Sequence, residues 1–284
     1  MNNVSRIISI APSVASECTV KYWLPPVLID WLRALLKRGI RFSGPYSSWE
    51  NAANSASGYD SAEILERVKQ ATQLVLQGKA AYERDSVAFS RPQYPFAMLA
   101  ALMRVAMEHN NRLSVLDFGG SLGSSYFQCR GFLPTSLDLH WSIVEQPNFV
   151  KCGKELINDQ CLQFFYDADS AVAENRPNVI LLASVLQYLP DPEKLLAGLA
   201  KYSCPYLIVD RTPLTNLAED IISVQHVPPS IYRASYPCWI FSKAKVLEIL
   251  SEKYRLIAEY TGPDGYYNLG RVRFSFPGMI LKKL

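Results

Sequence analysis

A chain of 284 residues can bury one large core or two modest ones, and 49% hydrophobic against 19% charged residues excludes an intrinsically disordered protein. A net charge of +3 with no dense basic stripe excludes a nucleic-acid binder of the usual kind. The six cysteines (Cys18, Cys129, Cys152, Cys161, Cys204 and Cys238) show no C-x-x-C pair and no zinc-like spacing; reduced thiols in a cytoplasmic, metal-free protein are expected.

The N-terminus has no apolar core followed by a small-residue cleavage site, so no secretory leader is expected. In "YWLPPVLIDWLRALLKR" (22–38), Val27, Leu28, Trp31, Leu32, Leu35 and Leu36 make a helical stripe too short and too charged to span a bilayer. It suits either a helix packed on its own domain or one lying on the anionic inner membrane face, which would make the protein membrane-peripheral. "FSGPYSSWENAANSASGYD" reads as an aromatic-rich loop. "AEILERVKQATQLVLQGKAAY" and "PFAMLAALMRVAMEHN" carry helical periodicity, so residues 1–111 are expected to form a helical cap or lid.

From Leu113 the rhythm changes. "LSVLDF", "WSIVEQ", "LQFFYD", "NVILLASV" and "PYLIVDR" are strand candidates, and helical stretches such as "PNFVKCGKELIND" and "PDPEKLLAGLAKY" separate most of them. "FSKAKVLEILSEKYRLIAEY" reads as helix then strand, and "RVRFSFPGMILKKL" as a last strand. The alternation predicts an α/β domain over 112–284 built on a doubly wound, mostly parallel sheet.

The turn after the first of these strands, "LDFGGSLGSSYF", fits three patterns. Asp117-Phe118-Gly119 is the magnesium tripeptide of kinases, but the upstream phosphate loop, the strand lysine and an H-R-D are absent. Gly119-Gly120-Ser121-Leu122-Gly123 fits the G-x-S-x-G elbow of an α/β-hydrolase, with Asp210 and His226 following in the order hydrolases use. The third pattern is the acidic, glycine-rich turn of a nucleotide-binding fold. Here Gly119, Gly120 and Gly123 let the backbone turn beside a ligand, and Glu145 ends the next strand where a ribose-binding carboxylate is expected.

"VLDFGGSLG", "IVEQ", "FYDAD", "ILLASVLQYLPDPEKLL" and "FSKAKVLEILSEKYRLIAEY" resemble, in order and spacing, the motifs of class I S-adenosylmethionine-dependent methyltransferases. "FSGPYSSWENA", "YERDSVAF", "GGSLGSSYFQCR", "VDRTP" and "ASYPCWIFS" resemble a narrower, largely uncharacterised methyltransferase family associated with bacterial surface-polysaccharide genes. The resemblance implies a seven-stranded Rossmann-like sheet, S-adenosyl-L-methionine as cofactor, and O-methylation of a sugar or glycan precursor. It departs from the family pattern at Ser121, which replaces the middle glycine, and at Asn178, where many relatives have Asp.

By the resemblance, Asp117, Gly119, Gly120, Ser121 and Gly123 line the cofactor's methionine end, Glu145 holds its ribose and Asp167 its adenine, and Ser184 to Gln187 lie beside the sulfur. His226 is a candidate base, with Asp210 and Arg211 orienting it or the acceptor. Tyr82, Glu83 and Arg84 are candidates for a lid over the cofactor carboxylate, with Arg84 suited to a forked contact, or for a surface salt bridge. Tyr46, Trp49, Tyr232, Tyr236 and Trp239 suit either sugar stacking or packing between domains. Since none of these is an assured base, a non-catalytic cofactor-fold protein that binds a glycan stays open beside the enzyme.

Overall fold

The computed structural model describes residues 39–58, 61–228, 234–262 and 265–284. The helix expected at 22–38 and Tyr232 lie outside them. Arg41–Leu284 forms one compact unit. In chain order it contains β1 (Arg41–Tyr46), α1 (Trp49–Ser55), α2 (Ser61–Leu76), β2 (Tyr82–Arg84), β3 (Val87–Phe89) and α3 (Phe96–Glu108). The alternating core follows: β4 (Arg112–Phe118), α4 (Ser124–Arg130), β5 (Asp138–Val144), α5 (Pro147–Leu156), β6 (Leu162–Phe165), α6 (Ala168–Asn175), β7 (Val179–Ala183), a short 3-10 turn (Leu186–Tyr188), α7 (Pro192–Leu199) and β8 (Tyr206–Asp210). The last part holds β9 (Leu214–Thr215), β10 (Ile221–His226), β11 (Ser235–Ser242), α8 (Lys243–Ser251), β12 (Tyr254–Tyr260), β13 (Tyr266–Leu269), β14 (Val272–Ser275) and β15 (Gly278–Lys283).

Seven strands make the main sheet in the order β6-β5-β4-β7-β8-β15-β12. β4 to β8 are parallel, whereas β15 runs antiparallel to both of its neighbours. The expected doubly wound, mostly parallel seven-stranded sheet is what forms. Its strands are apolar on both faces because both are covered. Leu113 and Val115 of β4 face a layer built with α2, α3, α4 and α5, while Leu116 faces the opposite layer of α6, α7 and α8. At the start of β7, the Asn178 side chain accepts from the Ser114 N–H at 2.9 Å and donates to the Arg112 carbonyl at 2.8 Å. An aspartate could make only the first of these bonds.

A second sheet, in the order β1-β10-β11-β9-β14-β13, gathers strands from both sides of the main domain in sequence. Phe42, Tyr267, Phe274 and Phe276 pack as an aromatic cluster on it, with ring centroids 4.9–6.3 Å apart. One sequence expectation changes here, and the chain adds strands that no motif marked. "FSGPY" is a strand rather than a loop, and the segment around His226 contributes two paired strands, β10 and β11. The described residues before Arg112 supply three helices and three strands to the same compact unit.

Candidate functional site

Strand order reverses between β4 and β7, and a crevice outside the carboxyl ends of the strands at such a point is where open α/β sheets bind ligands. A cavity of about 830 Å³ lies there, within the roughly 300–1,000 Å³ usual for small-molecule sites. The turns after five parallel strands reach it: Gly119–Ser121 after β4, Glu145 after β5, Asp167 after β6, Ser184 and Val185 after β7, and Arg211 after β8. The β2–β3 hairpin adds Glu83, Arg84, Asp85 and Ser86, and Tyr188 and Tyr236 add aromatic wall.

Backbone strain concentrates in this lining. Eight described non-glycine residues have a left-handed backbone, and five of them line the cavity: Asp85 (φ 52°), Ser86 (67°), Ser121 (56°), Ser184 (58°) and Arg211 (51°). Such conformations persist where the surrounding structure over-determines them, and they cluster at functional sites.

The loop after β4 fits closely on its base. A Cβ at Gly119 (φ 74°) would lie 2.4 Å from Val185 Cγ2, and one at Gly120 would lie 2.6 Å from the Asp117 carboxyl carbon. Asp117 is therefore beneath the loop and outside the lining; it is fully buried, with Oδ2 accepting from the Trp141 indole N–H at 2.9 Å and Oδ1 without a partner. Burial pushes its carboxyl up to about 7. Asp117 thus supports the loop from a layer below the lining. Gly123 (φ 99°) likewise turns the chain into α4 without lining the cavity.

Ser121 and Glu145 meet directly. The Ser121 N–H donates to Glu145 Oε1 at 3.2 Å, and the Gln146 N–H donates to Oε2 at 2.8 Å. Burial raises the Glu145 carboxyl above its ordinary value, although these donors oppose the shift. Asp167 lines the cavity while capping α6, accepting from the Ser170 N–H at 2.7 Å and the Ser170 hydroxyl at 3.0 Å; these bonds hold its carboxyl below the usual range. Ser184 lines the cavity, but Gln187 is buried behind it, its Nε2 donating to Ser184 Oγ at 2.9 Å. Arg211 lines the cavity and pairs with Asp210 at 3.2 Å; Asp210 also accepts from the Tyr260 hydroxyl at 2.7 Å and has no place in the lining.

Of the residues expected to face substrate, Arg84 and Tyr236 line the cavity. Tyr82 is buried, its hydroxyl donating to Gln93 Oε1 at 3.0 Å, so it belongs to the core. Trp239 stacks on Trp49 at 5.7 Å and donates to the Leu189 carbonyl at 3.0 Å, which makes it part of the packing behind the wall. His226 is not in the lining. Its Nε2 meets Ser43 Oγ at 2.8 Å, between β1 and β10, and burial together with Arg41 lowers its pKa. Alternation along the strand explains this: neighbouring Gln225, paired with Tyr236, bonds Tyr188 at 3.2 Å on the other face. The other two histidines bond Val105 and Asp138, so no imidazole reaches Ser121 and the hydrolase triad does not form.

Glu83 is the site residue that sequence reasoning undervalued. It lines the cavity at 2% exposure, with Oε1 accepting from the Ser86 N–H at 2.9 Å and Oε2 from the Ser124 hydroxyl at 2.5 Å. Burial, the largest influence, pushes its carboxyl up to about 7. The hint in the sequence was Asp85-Ser86, a two-residue turn with both φ positive between strands paired at Arg84 and Val87.

The chain matches no described family and no curated protein. Among solved structures it is similar to the N-terminal domain of EvdMO1 with SAH bound (12% identity over 80% of this chain and 98% of that one, TM-score 0.43). It is also similar to the Burkholderia thailandensis 1,6-didemethyltoxoflavin-N1-methyltransferase with bound 1,6-didemethyltoxoflavin and S-adenosylhomocysteine (12%, 80% and 91%, TM-score 0.38). A third is CalS10, an amino pentose methyltransferase from Micromonospora echinaspora, with SAM bound (10%, 75% and 96%, TM-score 0.42). Likenesses this distant set neither an activity nor a substrate for this chain.

Proposed function

We propose that the chain is an S-adenosylmethionine-dependent methyltransferase, as its ordered motifs imply. The observation that carries this reading is the contact of Ser121 with Glu145, which joins the glycine-rich turn and the acidic strand end at the switch point of the sheet. The lining chemistry fits the cofactor: among the described residues, four carboxylates (Glu83, Asp85, Glu145 and Asp167) face two guanidiniums (Arg84 and Arg211), an acidic surplus suited to a cationic ligand bearing hydroxyls. When bound, the cofactor supplies a methyl group already activated on a sulfonium.

The protein's part is then binding, alignment and disposal of a proton. Glu145 accepts from ribose hydroxyls and Asp167 faces the base, while Ser184, held by Gln187, shapes the wall next to Arg211. For a hydroxyl acceptor, a lining carboxylate or water takes the proton, because no imidazole faces the cavity. The finer reading is O-methylation of a sugar or glycan precursor in surface-polysaccharide biosynthesis. It draws support from the narrower family resemblance and from Tyr188 and Tyr236, whose rings meet edge to face at 5.1 Å on the cavity wall.

Calorimetry with S-adenosylmethionine and S-adenosylhomocysteine tests the cofactor assignment, with Kd expected at about 1–100 μM. No heat from folded protein with either would reject it. Methyl transfer from labelled cofactor to fractionated cell glycans tests the acceptor; bound cofactor with no labelled product in any fraction would favour a binding role.

A further inference from the structure

Two buried or half-buried carboxylates flank the turn after β4 and are tied to it three residues apart. Glu145 takes the Ser121 N–H, and Glu83 takes the Ser124 hydroxyl at the start of α4. A ligand whose hydroxyls reach Glu145 and which follows the turn toward α4 therefore brings its far end to Glu83. The two Glu83 oxygens each hold one protein donor, so lone pairs remain for another.

The surroundings of Glu83 select the kind of donor. A carboxylate at this depth is disfavoured in its ionised form unless a cation accompanies it. The charged groups acting on it are Asp85 in its own turn, which opposes ionisation, and Arg211, which favours it but is already paired with Asp210. Ser124 and Ser86 are neutral donors, and α2 contributes apolar Ile64 and Val68 to the wall. Among the described residues the lining holds no lysine; of its two guanidiniums, Arg211 is paired with Asp210 and Arg84 lies over the Phe89 ring at 5.6 Å, so a cation carried by the ligand would balance Glu83.

We infer that Glu83 receives the α-ammonium group of the cofactor's amino-acid end, making the β2–β3 hairpin the element that recognises a primary ammonium. The inference rests on the methyltransferase reading. It also gives the carboxyl's near-neutral titration a use: ligand binding pulls Glu83 into its ionised form, and affinity depends on pH in proportion to the proton released.

The experiment compares S-adenosylhomocysteine with 5′-methylthioadenosine, the same nucleoside thioether without the amino-acid end, by calorimetry on the full chain. Glu83→Gln should weaken S-adenosylhomocysteine by about tenfold or more, as loss of a charge-assisted hydrogen bond does, and leave methylthioadenosine within about twofold. Wild-type affinity for S-adenosylhomocysteine should rise several-fold between about pH 6 and 8, with methylthioadenosine flat; this second measurement needs no variant to fold. Equal losses for both ligands in a folded variant, no loss for either, or a wild-type pH dependence shared by both would overturn the assignment. If wild-type protein binds neither nucleoside, the methyltransferase reading itself fails and takes the inference with it; if it binds both equally, only the inference fails.

Discussion

The backbone N–H of Ser121 donates to Glu145 Oε1 across the parallel β4–β5 pair, so a residue with strained backbone (φ 56°) is held by the carboxylate that also faces the cavity. Glu145→Ala removes both a ligand-facing charge and the brace on the turn. S-adenosylhomocysteine affinity should fall by about tenfold or more. An unchanged Kd by calorimetry would show that Glu145 only braces the turn.

Ser121→Gly is expected to be tolerated or stabilising. A left-handed backbone costs a non-glycine residue roughly 1–2 kcal/mol, and part of that gain is offset by the greater freedom of glycine in the unfolded chain. Thermal melting should show an equal or higher midpoint, with cofactor affinity retained. A fluorophosphonate probe should leave the wild-type protein unlabelled, because no imidazole stands beside Ser121.

Gly120→Ala tests the loop's fit on its base. The added methyl would meet the buried Asp117 carboxyl at 2.6 Å, with no room to turn away. Overpacking of this kind typically costs about 1–3 kcal/mol, so the melting midpoint should drop by several degrees. A variant as stable as wild type would mean that Asp117 can move.

Asp117 should leave a mark on the pH dependence of stability. Its carboxyl, like that of Glu83, is pushed by burial from the ordinary range up to about 7. Between about pH 4 and 7 the native state therefore keeps protons that the unfolded chain has released. This contribution to stability is complete at the acid end and is lost as pH rises through about 7. The melting midpoint should fall between about pH 4 and 7 and level off above, and Asp117→Asn should reduce that fall. An unaltered profile would assign the pH dependence elsewhere.

His226→Ala is expected to leave cofactor affinity unchanged and turnover within about threefold, far from the roughly 10²–10⁴-fold loss that follows removal of a general base. The variant gives up the bond to Ser43, worth about 1 kcal/mol. A hundredfold fall in labelled-methyl transfer would place the imidazole in the chemistry after all.

The main sheet was readable because its strands are short apolar runs, such as "VILLA" and "YLIVD", spaced by amphipathic helices. That rhythm is local. The positions of Glu145, Asp167 and Ser184 were readable for the same reason, since each follows a strand whose end the pattern marks; the roles given to them came from the resemblance. The second sheet was not, because β1 with β10 and β9 with β14 find one another across long stretches of chain, and the polar and aromatic residues of these strands carry weak alternation. His226 was misplaced on that account: only the pairing with β1 and β11 reveals which way its side chain points. Asp117 and Gln187 were assigned by position in a motif, which cannot distinguish a residue that touches a ligand from one lying a layer below.

The place of β15 bears on how the protein comes to be made. It follows every other described strand, yet it sits inside the main sheet between β8 and β12. Until Gly278–Lys283 has left the ribosome, β8 has one open edge and β12 has no neighbour to hold it. β1 waits in the same way for β10, some 180 residues downstream. Synthesis can thus complete the β4–β8 half of the cavity wall early, whereas the main sheet closes only once Gly278–Lys283 has emerged. During that interval the exposed margin of β8 is where a chaperone would be needed most.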